Sequence, residues 1–96
     1  MNLRKLARGQ PCMIRCPTVC NGNPDTVVLC HIRMIGLSGT GIKAPDALAT
    51  FGCSDCHAVC DGQRRSAFTD DERRLMILEG MARTQYYLIK HGYLKW

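Results

Sequence analysis

The distribution of apolar and polar residues predicts short extended segments in the first half of the chain. Residues 26–33 (TVVLCHIR) are β-branched and apolar and contain no glycine or proline, which is typical of a strand. A tight turn is predicted at residues 20–25, where Gly22 can adopt a positive φ. Residues 46–52 are predicted to form a short strand or a helical turn, and residues 53–63 a short helix.

The clearest periodicity lies in the last third of the chain and predicts a long amphipathic helix at residues 69–91. Thr69 and Glu72 have the spacing of a capping box, and Gly92 is a natural residue to follow the end of a helix. Apolar side chains recur at spacings of three and four in Leu75, Leu78, Ala82, Tyr86 and Ile89. We expect this helix to serve as a packing scaffold, and its exposed face could support a homo-oligomer.

The composition is that of one small domain. The chain has 96 residues, of which 46% are hydrophobic and 22% charged, and its mean hydropathy is -0.13. No apolar run approaches the roughly 20 residues that a membrane span requires, so no membrane association is expected. Residues 1–11 are polar and basic and are predicted to form a flexible lead-in. Because no apolar segment follows them, we expect no secretory signal and a cytoplasmic location.

Seven cysteines suggest that metal binding supplements a small core. Because seven is an odd number, they cannot all pair as disulfides within one chain, and a reducing compartment makes disulfides rare. A structural zinc ion contributes about 10–16 kcal/mol in zinc-finger peptides. That contribution exceeds the stability of most small domains, so zinc ligation is the leading explanation for the cysteines.

Cys53 and Cys56 form a C-x-x-C motif that can hold one tetrahedral metal ion from a single turn. The other two ligands must then come from elsewhere, and any two of Cys12, Cys16 and Cys20 could supply them. Two other interpretations of the motif are a redox pair and simple buried thiols. A thioredoxin-like redox site requires a βαβ context, which this chain does not show.

Two histidines and an aspartate suggest phosphodiester chemistry. On a helix, His57 and Asp61 would face the same way one turn apart, which suits one imidazole and one carboxylate ligand of a divalent ion. His31, near the end of the predicted strand, is a natural general base near neutral pH. The plainer alternatives are a structural strand histidine and an exposed polar helix face. A net charge of +5 and a pI near 9.0 suit a nucleic-acid partner, although a merely basic domain would have the same charge.

The order of these motifs resembles that of the HNH (His-Me finger) endonucleases with an attached zinc knuckle. The residues that carry this resemblance are LCHIR at 29–33 and FGCSDCH at 51–57. Over nearly its full length, the chain is more closely similar to the small YbcO-like nucleases of lambdoid prophages. The matching stretches are Pro11-Cys12, residues 19–24, residues 31–33, residues 53–57 and residues 79–85.

The resemblance implies that His31 is the general base and that His57 and Asp61 hold a catalytic divalent ion such as magnesium or manganese. Two positions depart from the family pattern. The residue before His31 is usually Asp or His but here is Cys30, which is either a further metal ligand that favours zinc or a small core residue. The family's middle Asn is also missing, and Asp46 is the nearest polar candidate for its place.

The resemblance also implies a structural zinc knuckle. Its four ligands would be Cys12, Cys20, Cys53 and Cys56. Cys16 and Cys60 are then spare cysteines. We therefore predict a small α+β protein of one domain. A ββα-metal (His-Me finger) unit with the zinc knuckle would span residues 12–63, and the C-terminal helix would span residues 69–91.

The leading prediction for function is a metal-dependent DNA endonuclease that hydrolyses phosphodiester bonds. Phosphate contacts are expected from Arg33, Lys43, Arg64 and Arg65, and contacts of this kind position DNA without reading its sequence. One alternative is a zinc-stabilised DNA-binding or adaptor protein whose catalytic site has decayed. A further alternative is a zinc-folded module for protein interaction.

Overall fold

The computed structural model describes residues 2–33 and 44–94 of the chain, and in these residues three helices pack against a two-stranded sheet. In chain order, the elements are helix α1 (Leu3–Ala7), strand β1 (Val28–His31), strand β2 (Ala49–Gly52), helix α2 (Ser54–Cys60) and helix α3 (Asp70–Lys90). A 3₁₀ turn at Pro24–Thr26 leads into β1. The prediction of a small α+β protein with a long C-terminal helix is therefore confirmed.

The two strands form an antiparallel pair in which His31 lies opposite Ala49. All four residues of β2 are buried, because α3 packs along this strand. Phe51 of β2 meets the ring of Tyr87 on α3 edge to face, with ring centroids 6.0 Å apart. The core therefore lies between the sheet and the long C-terminal helix, and α2 continues directly from the end of β2.

Residues 3–7 form a packed helix, although they lie in the segment 1–11 that was predicted to be a flexible lead-in. Helix α1 begins after Asn2, whose side chain accepts hydrogen bonds from two backbone amides of the first turn at 3.1 and 3.2 Å. Ala7 is 0% exposed, and Leu6 packs against the core. One and a half turns are too short to show a clear periodicity, so this amphipathic segment was not recognisable from its sequence.

The caps predicted for the C-terminal helix are confirmed. Thr69 precedes α3 and forms a capping box with Glu72, in which the two reciprocal hydrogen bonds measure 2.8 and 3.1 Å. At the other end, Gly92 adopts a φ of 77°, as expected for a residue that terminates a helix. In the part of the chain that the structure describes, no helix has both the length and the apolar character needed to cross a membrane.

The buried face of α3 differs from its apolar stripe. Leu75, Leu78 and Tyr86 are 58%, 38% and 63% exposed, respectively. The buried positions of the helix are Gly80, Thr84 and Leu88, which are four residues apart. An apolar stripe normally marks the side of a helix that packs on the core, but on α3 it points outward.

Close backbone packing explains why α3 buries small and polar side chains. A Cβ atom added at Gly80 would lie 2.6 Å from Thr50 Oγ1 and 3.1 Å from the carbonyl oxygen of Met13. The helix therefore approaches β2 too closely for a larger residue there. Thr84 Oγ1 accepts a hydrogen bond from the Phe51 amide (3.1 Å) and donates one to the Gly80 carbonyl (2.8 Å). Thr84 thus pairs a backbone amide of the sheet that would otherwise be buried without a partner.

Candidate metal centre and the neighbouring cavity

Four cysteine sulfurs converge between the loop before β1 and the start of α2. They belong to Cys12, Cys20, Cys53 and Cys56, and all lie within 4.8 Å of one another. In a tetrahedral site with Zn–S bonds of about 2.3 Å, neighbouring sulfurs are about 3.8 Å apart. The Cys20 and Cys53 sulfurs are 4.0 Å apart, so the four-cysteine group fits a metal ion such as zinc.

The local backbone turns these sulfurs toward each other. Arg15 and Thr18 have φ values of 58° and 63°, a left-handed conformation that is costly for a β-branched residue such as threonine. Cys53 is the N-cap of α2, and its sulfur accepts a hydrogen bond from the Cys56 amide (3.4 Å). The Cys53 amide in turn donates to the Cys12 sulfur (3.3 Å). Amide donors stabilise thiolates, which are the form of cysteine that binds metal.

Two thiols of the group, those of Cys12 and Cys56, are hydrogen-bonded to each other. The Cys56 thiol donates to Cys12, which lowers the pKa of Cys12 to about 4 and raises the pKa of Cys56. Burial raises the pKa of Cys20. Metal binding at this group must therefore displace protons from the remaining thiols, so metal affinity will fall as the pH is lowered.

The other three cysteines lie outside the four-cysteine group. Cys16 and Cys60 form a close pair with sulfurs 3.8 Å apart, and burial raises the pKa of Cys60 to about 12. Cys30 is 1% exposed, and its thiol donates weakly to the carbonyl oxygens of Val28 (3.7 Å) and Gly52 (3.9 Å). This position favours a small core residue over a metal ligand as the role of Cys30.

A cavity of about 260 Å³ lies between the ends of β1, α2 and the first turns of α3. The residues that line it are His31, Arg33, Cys60, Asp61, Gly62, Asp70, Arg73, Arg74 and Ile77. Two of the predicted catalytic residues, His31 and Asp61, thus line the same cavity, although 30 positions separate their numbers in the chain. His57, the third, is not among the lining residues.

His31 is held by a carboxylate. Its Nε2 atom lies 2.6 Å from Asp46 Oδ1, and its side chain is only 14% exposed. Arg4 of α1 also approaches the Asp46 carboxylate, with its Nε atom 3.7 Å from Oδ1. Asp46 is the polar candidate for the place of the family's missing Asn. It is therefore also the residue that contacts His31, the candidate base.

His57 and Asp61 face the same way on α2 and its C-terminal cap, with His57 Nε2 3.9 Å from Asp61 Oδ2. Both carboxylate oxygens of Asp61 also pair with the guanidinium group of Arg33, at 3.1 and 3.2 Å. Whether His57 and Asp61 bind a metal ion remains a prediction. Among the described residues, the four-cysteine group is the one close set of three or more potential metal ligands.

The predicted phosphate contacts lie in different places. Arg33 lines the cavity, whereas Arg64 pairs with Asp55 at 3.0 Å, and Arg65 is exposed. Lys43 lies outside the described residues. Two other cations of the cavity, Arg73 and Arg74 on α3, could not be identified from the sequence, because no motif connects them with α2.

Known proteins match nearly the whole chain. The family described as "Putative nuclease YbcO" matches residues 1–93. Two relatives, "Putative nuclease YbcO" from Escherichia coli (strain K12) and "Putative nuclease ybcO" from Enterobacteria phage 82, are each 54% identical over 95 residues, or 98% of this chain and 97% of each relative. A solved structure, "Structure of a putative bacteriophage protein from Escherichia coli str. K-12 substr. MG1655", has a TM-score of 0.75 at 47% identity, covering 95% of this chain and 100% of that chain. The chain therefore belongs to the YbcO family.

Proposed function

We propose that this protein is a metal-dependent endonuclease of the HNH (His-Me finger) type that hydrolyses phosphodiester bonds in DNA. The observation that carries the proposal is one cavity lined by His31, which is paired with Asp46, and by Asp61. Phosphodiester hydrolysis requires a base, a carboxylate able to bind metal and surrounding arginines. The element order β1, β2, α2 and the description of both relatives as nucleases support the same assignment.

His31 is the general base in this proposal. In this role, Nε2 would donate its hydrogen to Asp46 Oδ1, 2.6 Å away, and Nδ1 would accept a proton from a water molecule. The Asp46 carboxylate would keep the imidazole in that tautomer and orientation, which is the role of the carboxylate in hydrolytic triads. Asp46 is therefore a positioning residue that acts through His31.

His57 and Asp61 would hold the divalent ion, magnesium or manganese, through an imidazole nitrogen and a carboxylate oxygen. Two protein ligands suffice because Mg²⁺ retains several waters and also binds phosphate oxygens of the substrate. When bound, the ion supplies Lewis-acid stabilisation of the charge on the phosphate and the leaving oxygen. Arg33 would then release part of its pairing with Asp61, and its guanidinium group would be free to bind a phosphate oxygen.

Arginines around the cavity provide the contacts to the DNA backbone. Arg73 and Arg74 line it from the first turns of α3, together with Arg33. Arg64 and Arg65 follow α2 and would contact phosphates farther along the strand. Since all of these contacts are made to phosphate groups, we expect cleavage with little sequence preference. We also expect the affinity for DNA to decrease strongly as the salt concentration rises.

The four-cysteine group has a structural role in this proposal. A zinc ion bound there would join the loop that carries Cys12 and Cys20 to the start of α2. Cys30 takes part in neither metal site, because its thiol is buried in the core. Metal analysis of the purified protein tests this role, and absence of zinc or an unchanged fold after chelation would refute it.

A nicking assay on supercoiled plasmid tests the catalytic assignment. With magnesium, manganese or nickel, the zinc-loaded wild type should produce open circles, and His31→Ala should be at least about 100-fold slower. His91→Ala is the matched control, since His91 is an exposed residue at the end of α3, outside the cavity lining. No cleavage with any ion, or equal cleavage by wild type and His31→Ala, would overturn the role of His31.

The second candidate function is DNA binding without cleavage. It is favoured by the pairing of both Asp61 oxygens with Arg33, which competes with a metal ion for the carboxylate. In that case, wild type and His31→Ala would bind a DNA duplex equally in fluorescence anisotropy, and neither would cleave it. Loss of both binding and cleavage would favour a zinc-folded module for protein interaction.

A further inference from the structure

The outward side of α3 carries an apolar stripe that the fold itself leaves largely exposed, although Ile89 is half-buried. Its members are Leu75, Leu78, Ala82, Tyr86, Ile89 and, just beyond the helix, Tyr93. Leu75 and Tyr86 are 58% and 63% exposed, and Leu78 and Tyr93 are each 38% exposed. A contiguous exposed apolar surface of this kind on a small protein marks a site of contact with another molecule.

We propose that this stripe is the interface of a homodimer in which two α3 helices pack side by side in antiparallel orientation. Apolar residues at spacings of three and four form the seam between two packed helices. The 21 residues of α3 span about 31 Å, so almost six turns are available to face a second copy. This inference concerns assembly and does not depend on the proposed nuclease activity.

Charges at the two ends of the stripe favour a second copy in antiparallel orientation. The first turn of α3 is acidic and includes Asp71, whereas Lys90 lies in the last turn, 5.4 Å from the centroid of the Tyr86 ring. With a two-fold axis near Met81, Asp71 lies beside Lys90 of the second copy, and Leu75 lies beside Tyr86 of the second copy. Parallel pairing would instead oppose the acidic turns and align the helix dipoles, and both arrangements are unfavourable.

A groove of about 300 Å³ next to the stripe could receive a side chain of the second copy. It runs between the loop before β1 and the first half of α3, and its lining residues include Phe68, Leu75 and Met76. In the antiparallel pair, Tyr86 of the second copy lies at the Leu75 edge of this groove. The most exposed aromatic side chain described on α3 would thus be covered in the dimer.

Sedimentation equilibrium of the full, zinc-loaded chain tests the interface. The wild type should show a monomer–dimer equilibrium, and Leu78→Glu should raise the dimer Kd by about 100-fold or more, since two leucines leave the seam. Val28→Glu is the matched control, because Val28 is 41% exposed on β1 and lies off the stripe. If Leu78→Glu does not fold, Leu75→Glu replaces it at a more exposed position. A wild type that stays monomeric at millimolar concentration, or a Kd equal in wild type and seam variant, would overturn the proposal.

Charge reversal tests the orientation. Asp71→Lys and Lys90→Glu should each weaken the dimer by roughly fivefold to tenfold, because each sets like charges beside each other twice in the dimer. The double variant should recover most of the wild-type Kd, since it restores opposite charges across the interface. Parallel pairing predicts no such rescue, because each of these residues would then lie beside the same residue of the second copy. Single variants with the wild-type Kd, or a double variant no better than either single one, would overturn the antiparallel arrangement.

Discussion

The close approach of α3 to the sheet makes Gly80 sensitive to even the smallest added side chain. In an exposed helix, replacing glycine by alanine stabilises a protein by about 1 kcal/mol. At Gly80, however, the added Cβ would lie 2.6 Å from Thr50 Oγ1, 3.1 Å from the Met13 carbonyl oxygen and 3.2 Å from Ile14 Cα. Two of these neighbours are backbone atoms that cannot rotate away, so α3 itself must shift. Overpacking of this kind costs about 1–3 kcal/mol, and we expect a net loss of about 1 kcal/mol from Gly80→Ala.

Urea denaturation followed by far-UV circular dichroism, at fixed free zinc and low protein concentration, measures this loss. Ala82→Gly provides the calibration, because Ala82 is exposed on the same helix and reports the intrinsic preference of α3 for alanine. That variant should be less stable than the wild type by about 1 kcal/mol. If Gly80→Ala instead raised stability by a similar amount, the tight contact between α3 and β2 would be refuted.

Two further predictions concern the cysteines. Cys12→Ala and Cys20→Ala should each abolish stoichiometric zinc binding, whereas Cys16→Ala should retain one zinc per chain. Metal analysis after dialysis measures the zinc content. Loss of zinc in all three variants would contradict the ligand set. Burial raises the pKa of Cys30 from 9.0 to about 12, so the neutral thiol stabilises the fold fully below about pH 9 and loses this contribution as the pH rises toward 12. Melting temperatures of wild type and Cys30→Ala should therefore converge across that range, and a constant difference would show that Cys30 does not titrate there.

Signals that depend on near neighbours predicted the secondary structure well. The capping box at Thr69 and the positive φ at Gly22 both involve contacts within a few residues, and both are present. The strand pattern located β1, although the predicted segment 26–33 is longer than Val28–His31. Local chemistry also located the C-x-x-C motif, in which Cys53 caps α2.

These local signals could not predict contacts between segments that are distant in the sequence. Cys12, Cys16 and Cys20 are equally spaced, and only the folded loop brings the first and third to Cys53 and leaves the second beside Cys60. The outward stripe of α3 was not foreseen as exposed, because periodicity shows that a helix has an apolar side but not what covers it. The cavity arginines of α3 were missed for the same reason, since their contribution arises from the packing of α3 near the end of α2.

Helix α2 carries Cys56 of the four-cysteine group and ends at the cavity. It has only seven residues, which is too short for a helix to be stable without tertiary support. Cys56 and His57 are consecutive on it, so their side chains point about 100° apart around the helix axis. A zinc ion bound by Cys53 and Cys56 would therefore fix the direction of His57 and Asp61 without contacting either. We expect that chelating zinc abolishes plasmid nicking even in saturating magnesium, and that stoichiometric zinc restores it. Nicking that persists in zinc-free protein would show that core packing alone holds α2 in place, so that the two sites act independently.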